Sequence, residues 1–573
     1  MSSSRRRATS RVQLSVTGIA VGCVGCVVIT ATSVYTALKM GSLPWPTIFT
    51  SVTAMVILRA FGHTSLNEAN VTQVIMSAGS MVAGGLAFTI PGIWMLGLAE
   101  EVSWLEVLLA AFAGTLLGLV CTALIRRRFV DESNLEYPVG TAAAETLRAS
   151  RVGSGTGRRL FGSMGVAGVW CVLRDVLGCL PTMLCSIAIP GVDFGIYNSP
   201  MMLSVGFLVG MGAVVCWFVG ALIGNFGIIV GGTAVGLWDT ETAEGIVTSL
   251  GMGLMMGSGL GVVIKDVIPQ LVRAVRGRGK KSTATAAGGE AAASGDATAV
   301  DRDAAAAGCW AGDITSKADV GTLALLVAAA ALIICFGLDL GPLVAAVVVL
   351  LSFVTTIMSA QSVGQTSIDP MEIFGLIVLL VVAAISDTDE VGLLLIAAVV
   401  AVACGLAGDV MSDFKTGALI GTDPRTLWIG QAIGSLLGVG VSVATMYALF
   451  TAYGADAFGA DATFVSAQAS VVATMVSGIP SVSAFWTGLV AGVVLYLLGL
   501  PAMMIGLGVY LPFYMSFTAF LGAMVKVVYD RVQRARGVDP AASEETGVVV
   551  ASGLLGGESI VGVVVALVSI CIQ

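Results

Sequence analysis

The chain has 573 residues, of which 57% are hydrophobic and only 11% charged, against about 25% charged in ordinary soluble proteins. So much apolar side chain cannot be hidden inside a water-soluble fold, which excludes a soluble enzyme, a nucleic-acid-binding protein and a disordered scaffold. The net charge of −8 gives no reason to expect nucleic acid as a partner. An all-α polytopic membrane protein remains, and its 73 glycines, roughly twice the usual ~7%, suit helices that approach closely or break.

Residues 1–11 form a basic tail containing Arg5, Arg6, Arg7 and Arg11. The first charge-free run follows at 12–38, too long for a signal peptide and with no small-residue cleavage pattern after it. Cys23 and Cys26 lie inside this run without a second pair. They are read as small buried hydrophobes, not as a metal or redox site. One histidine, His63, cannot build an imidazole cluster. Further apolar runs are 69–99, 107–125, 160–192 (interrupted by Arg174 and Asp175), 194–238 and 245–264. In the second part they are 321–338, 340–368, 391–408, 426–455, 462–525 and 547–573, the last carrying the single charge Glu558. At ~20 residues per crossing these runs predict roughly 14–16 helices. The run at 69–99 is expected to break at 77–80, at 83–85 and again at 89–91. The run at 194–238 reads either as two crossings or as one crossing with a re-entrant piece broken near 224–227.

Basic loops face the cytoplasm. This rule puts 5–11, 126–128, 273–281 and 531–536 inside and Glu100-Glu101 outside, so the N-terminus is cytoplasmic in a multi-pass cell-membrane protein. Residues 276–317 are rich in Ala, Gly, Ser, Thr and charge without apolar periodicity, and read as a flexible cytoplasmic linker. On either side the sequence repeats. Gly62-His63-Thr64-Ser65 resembles Gly364-Gln365-Thr366-Ser367, Gly206 and Gly220 match Gly508 and Gly522, and Gly253 and Gly257 match Gly553 and Gly557. These matches come in order at nearly one offset. They divide the chain into related halves, 12–275 and 318–573, the organisation of secondary transporters. Parallel and inverted arrangements of the halves both stay open.

An ionisable group at membrane depth costs about 2.5–3.5 kcal/mol on insertion scales, so polar residues there mark candidate function. Glu68 and Thr72 share one helical face and Asn70 and Gln73 another; the competing reading is a helix cap followed by small-residue packing. A second cluster runs Gly408-Asp409-x-Met411-x-Asp413-x-Lys415-Thr416-Gly417. Asp409 and Asp413 are i, i+4 and lie on one face if the segment is helical. Two carboxylates so placed repel, and one then holds a proton readily, with Lys415 offsetting the charge. The alternative is an ordinary capped loop. Weaker candidates are Glu136, Tyr137 and Glu145 on an amphipathic surface helix, and Arg174-Asp175, whose adjacency on a helix argues against mutual contact. Glu558 is a rival coupling carboxylate, and Tyr510 sits on a broken helix before Pro512. No Walker A motif is present, so ATP-driven transport by this chain alone is not expected.

These residues resemble the oligopeptide transporter family, prokaryotic type, over nearly everything except the tail and the linker. The resemblance is carried by Asn70-x-x-Gln73 with Ser77-Ala-Gly, Phe88-Thr-Ile-Pro91, Tyr137-Pro-x-Gly140, Ser199-Pro200, the Gly408–Gly417 segment, Gly508-x-Tyr510-Leu-Pro512 and Gly553-Leu-x-x-Gly557-Glu558. The chain departs from the family's Asn-Pro at Asp369-Pro370 and from its Gln at Ser412. The resemblance implies a secondary transporter, proton-coupled, importing small peptides. The alternatives are an importer of metal–chelate complexes and an uncoupled channel or membrane scaffold. Substrate is expected between the halves, lined by Glu68, Asn70, Gln73 and the Asp409–Lys415 segment. Partners would be the substrate, protons and the bilayer, with a homo-oligomer admitted and no nucleic acid. No catalytic residue, cofactor or resident metal is expected.

Overall fold

Continuous apolar side chain with helix-compatible small residues leaves the backbone one way to satisfy its own polar groups without water, the α-helix. The computed structural model describes residues 13–40, 46–132, 135, 137–149, 155–189, 191–262, 264–265, 319–366, 369–459, 462–477 and 480–572, and the apolar runs are mostly helical. The basic tail at 1–11, Glu136 and the linker at 276–317 lie outside the described residues. Among the described residues eight helices are long and apolar enough to cross a membrane, and six shorter apolar helices accompany them. The chain is a multi-pass, all-α membrane protein.

In chain order the first part comprises α1 Val16–Met40, α2 Pro46–Ala60, α3 Leu66–Ala87, the short α4 Pro91–Met95, α5 Trp104–Arg126, α6 Pro138–Ala149 and α7 Thr156–Cys171. It continues with a hairpin of β1 Met183–Ile189 and β2 Val192–Tyr197, then α8 Pro200–Val209, α9 Met211–Ala221 and α10 Thr240–Val262. The second part comprises α11 Asp319–Leu332, α12 Gly341–Thr366, α13 Met371–Ile385, α14 Glu390–Ile420, α15 Pro424–Tyr453 and α16 Ala467–Ser477. It closes with α17 Val482–Leu497, α18 Ala502–Tyr510, α19 Phe513–Ala535 and α20 Pro540–Ile572.

The core is built around α14. It packs on α3, α5, α12 and α13, and its apolar stretch is buried on every side. Small residues let these helices touch backbone to backbone. A Cβ added to Gly438 of α15 would lie 2.4 Å from Gly79 Cα of α3, and one added to Gly85 would lie 2.6 Å from Val402 N of α14. The glycines matched between the two parts meet one another's helices. Gly206 of α8 abuts Ala519 and Gly522 of α19 abuts Leu203, while Gly220 of α9 abuts Ile505 and Gly508 of α18 abuts Trp217.

Three sequence expectations are corrected, and one open alternative is decided. Residues 77–80 and 83–85 do not break α3, which runs without interruption from Leu66 to Ala87; their small side chains serve contact with α15 and α14, and only the break at 88–90 occurs. In 194–238 the interruption is at Gly210, with φ +84, and residues 224–227 lie inside a π-helical continuation, Leu222–Gly231. The end of the 160–192 run is not helical: it forms the antiparallel hairpin β1–β2, which turns at Gly191 with φ +74. Finally, 408–417 is not a loop. It lies within the 31-residue α14, which ends at Gly421 in the left-handed conformation that glycine adopts without steric cost.

Candidate substrate and coupling site

Ser65 caps α3, its hydroxyl accepting from Glu68 N at 3.4 Å, and from there the polar residues divide between two faces. Glu68 and Thr72 turn toward α1. The Ser15 hydroxyl donates to the Glu68 carboxylate, His63 Nδ1 lies 2.9 Å from it, and Thr72 Oγ1 donates to Gly18 O at 3.3 Å. Asn70, Gln73 and Ser77 turn the other way, to α14 and its following loop. Gln73 Nε2 and Ser77 Oγ each donate to the Asp413 carboxylate at 2.6 Å, one to each oxygen. Asn70 Nδ2 donates to Thr422 Oγ1 at 3.3 Å, and Thr422 Oγ1 in turn to Asn67 Oδ1 at 3.2 Å. Asp413 is 1% exposed and Asn70 and Gln73 are completely buried. The structure therefore brings Gln73 together with Asp413, sets Asn70 against Thr422 on the same side of α3, and places Glu68 on the opposite face.

Asp409 sits one turn before Asp413 on α14 and is half-buried. The charged groups acting on it are Asp413, Asp369 and Glu372. Asp369 precedes α13. The Ser359 hydroxyl of α12 reaches its Oδ1 at 2.7 Å, while Oδ2 has no hydrogen-bond partner among the described residues. A Cβ on Gly408 would lie 2.8 Å from that Oδ2, so glycine at 408 leaves the carboxylate room against α14. Glu372 is buried in the first turn of α13, where the positive end of the helix dipole favours an acid. Three carboxylates, from α13, its N-terminal lead and α14, thus gather around Asp409, making a group of four. Sequence reasoning treated Asp369 only as a departure from a family pattern and missed Glu372 and Ser359. The signal was available: Asp369-Pro370-x-Glu372 places two acids at a helix start inside an apolar stretch.

Lys415 is turned elsewhere. Its Nζ donates to Leu135 O at 2.9 Å, and the next residue, Thr416, donates to Gly140 O at 2.8 Å. Tyr137, buried and with φ +46, donates through its hydroxyl to Ala360 O at 3.1 Å, and its backbone N–H to Gly364 O at 3.0 Å. Tyr137 and Lys415 thus moor residues 135 and 137–140 to α12 and α14. Of Glu145 only the helix α6 that carries it is described.

Glu558 of α20 belongs to a separate ionic group. Arg174 Nη2 donates to it at 3.0 Å, Ser199 Oγ at 2.9 Å and Met201 N at 2.8 Å. The Arg174 and Glu558 side chains are each 1% exposed. Arg174 also grips its neighbour Asp175 at 2.6 and 2.7 Å and donates to Asn198 O. The expectation that adjacent residues do not meet is overturned here, because the long guanidinium folds back within a π-helical turn, Val172–Val176. Tyr510 ends α18 immediately before Leu511-Pro512, as the broken-helix reading expects. With Asn225, Glu244 and Thr248 it lines a cavity of about 220 Å³.

Comparison with known proteins decides the family: its description, OPT oligopeptide transporter protein, matches residues 13–569. The chain belongs to this family. A putative oligopeptide transporter of Haemophilus influenzae is 23% identical over 93% of this chain and 92% of its own length. A probable metal-nicotianamine transporter of Oryza sativa subsp. japonica is 36% identical over 17% of this chain and 14% of its own length. A metal-nicotianamine transporter of Arabidopsis thaliana is 34% identical over 17% and 15%. As a member of the oligopeptide transporter family the chain is a membrane transport protein and not an enzyme.

Proposed function

We propose that this transporter imports small peptides together with protons, binding both where α3 meets α14. One observation carries the reading: Asp413 is buried, held by Gln73 and Ser77, and neighboured through Asp409 by Asp369 and Glu372. Gathering four carboxylates away from water is costly unless protons or a cationic ligand compensate them. A peptide's ammonium group compensates part of that negative charge and a proton another part, so that both are held at once. Linkage of the two is what coupled transport requires. The carbonyl oxygens Gln73 Oε1 and Asn70 Oδ1, buried and unpartnered among the described residues, offer further acceptors for such a donor. Glu558 is assigned a structural role because Arg174 already neutralises it. We read the tail and linker as cytoplasmic from their basic residues, and the chain as two related halves from the matched glycines. Uptake of labelled tri- to hexapeptides into proteoliposomes with and without an inward proton gradient tests the reading; uptake that only equilibrates supports the channel alternative.

A second reading, import of a metal–chelate complex, is favoured by the metal-nicotianamine transporters among the relatives. Such a complex can present amines to the same carboxylates. Competition of peptide uptake by chelates, each with and without metal, separates the two.

A further inference from the structure

Lys39 closes the last turn of α1. A lysine at a helix end ordinarily snorkels to water, but Lys39 is only 9% exposed. Its ammonium lies over two aromatic rings, 5.5 Å from the Tyr35 centroid and 5.6 Å from that of Tyr197. Among the described residues only phenol oxygens accept from it: Tyr35 OH at 3.4 Å and that of Tyr197. Among the described residues no carboxylate lies within ion-pair distance of it. Arg174, which lies 5.7 Å from the same Tyr197 ring, engages both neighbouring acids, Asp175 and Glu558. An ammonium has three donors and no acceptor. Among the described residues Lys39 is therefore a buried cation with neutral hydrogen bonds and one donor without an acceptor, in a cage that holds its charge by cation–π attraction.

We infer that Lys39, framed by Tyr35 and Tyr197, is a carboxylate-binding station for the transported substrate. This rests on the transport reading and adds the recognised group: the C-terminal carboxylate of a peptide or a carboxylate arm of a chelate. The station is distinct from the Asp413 site. Helices α1 and α3 run side by side in the same direction, Gly18 beside Thr72, Gly22 beside Ile75 and Thr30 beside Gly79. At 1.5 Å per residue Lys39 lies roughly 25 Å beyond the level of Gln73 and Ser77. An extended peptide needs about seven residues to reach both, so shorter substrates meet the two stations in succession.

The test compares acetyl-trialanine with acetyl-trialaninamide, which differ only in the carboxylate, by calorimetric binding to the purified full-length protein. The expected result is that the acid binds ten- to hundredfold more tightly than the amide, that Lys39→Gln erases the preference, and that Lys39→Arg retains part of it. Equal binding of acid and amide to the unaltered protein, or a preference that survives Lys39→Gln, overturns the inference. If Lys39→Gln does not fold, Tyr197→Phe, which frees the donor that the phenol oxygen occupies, is expected to strengthen acid binding and leave amide binding unchanged; an equal change for acid and amide overturns the inference as well. The source of the carboxylate is settled by uptake of trialanine against iron bound by a carboxylate-bearing amine chelator or by a carboxylate-free hydroxamate. Absence of all uptake while acid binding persists defeats the transport reading and leaves the station in place.

Discussion

Replacing Asp413 by asparagine is the most informative perturbation at the seam between α3 and α14. The carboxylate accepts from Gln73 Nε2 and Ser77 Oγ, both at 2.6 Å, and neither donor reaches solvent. An asparagine amide accepts through its oxygen alone and turns an NH2 toward the second donor. One buried donor is then left unsatisfied, at about 1–3 kcal/mol. Asp413→Ala strands both donors, at about 2–6 kcal/mol by the same reckoning, so the asparagine variant is the one to assay. It should fold with a modestly lowered melting temperature in detergent. In proteoliposomes it should fail to accumulate substrate under an inward proton gradient while still exchanging substrate between equal pools, because exchange moves no net proton. Asp409→Asn should behave likewise or shift the pH dependence. If both variants accumulate normally and Glu558→Gln does not, the coupling site belongs to α20 and the reasoning fails.

Other expectations follow from the packing and the charges. Arg174→Ala leaves Glu558 buried without its partner and should destabilise by about 3–5 kcal/mol, with Glu558→Gln restoring part of the loss in the double variant; additive losses in a thermal unfolding series would show that the pair is not coupled. Gly438→Ala drives a Cβ to 2.4 Å from the α3 backbone and should cost about 1–3 kcal/mol as overpacking, read as a lower melting temperature; an unchanged value would mean that the helices separate freely. Deleting most of 276–317 should leave uptake within a few-fold, and complete loss at normal membrane expression would contradict its reading as a linker. Single cysteines at residues 100–101 should label from outside sealed cells and those at 276–281 should not; the reverse pattern inverts the topology.

Much of this architecture was legible because membrane depth simplifies the code. Charge-free length located the helices, and the polar residues that interrupted it, Gln73 and Asp413 above all, proved to be hydrogen-bond partners across 340 positions of sequence. Three kinds of feature were not legible. Glycine and serine at 77–85 have the same composition whether they break a helix or let another approach, and only the facing residues, Gly438 and Val402, decide between these. The β1–β2 hairpin is as apolar as the helices around it, so hydropathy gave it no separate signal. Asp369 and Glu372 were passed over although two acids at a helix start inside an apolar stretch were visible in the sequence; that they face Asp409 comes from α14 lying alongside, a tertiary fact. Lys39 was hidden for a related reason, since an isolated lysine ending an apolar run reads as an interface anchor until the two tyrosines are seen around it.

The central claim, that proton movement drives substrate inward, is tested most directly by measuring steady-state accumulation of a neutral tripeptide in proteoliposomes as the imposed pH gradient is varied at zero membrane potential. One pH unit carries about 1.4 kcal/mol, so one proton per substrate predicts an accumulation ratio that approaches about tenfold per unit and collapses when a protonophore is added. A ratio that stays at one across all gradients, with substrate entering freely, would contradict the account.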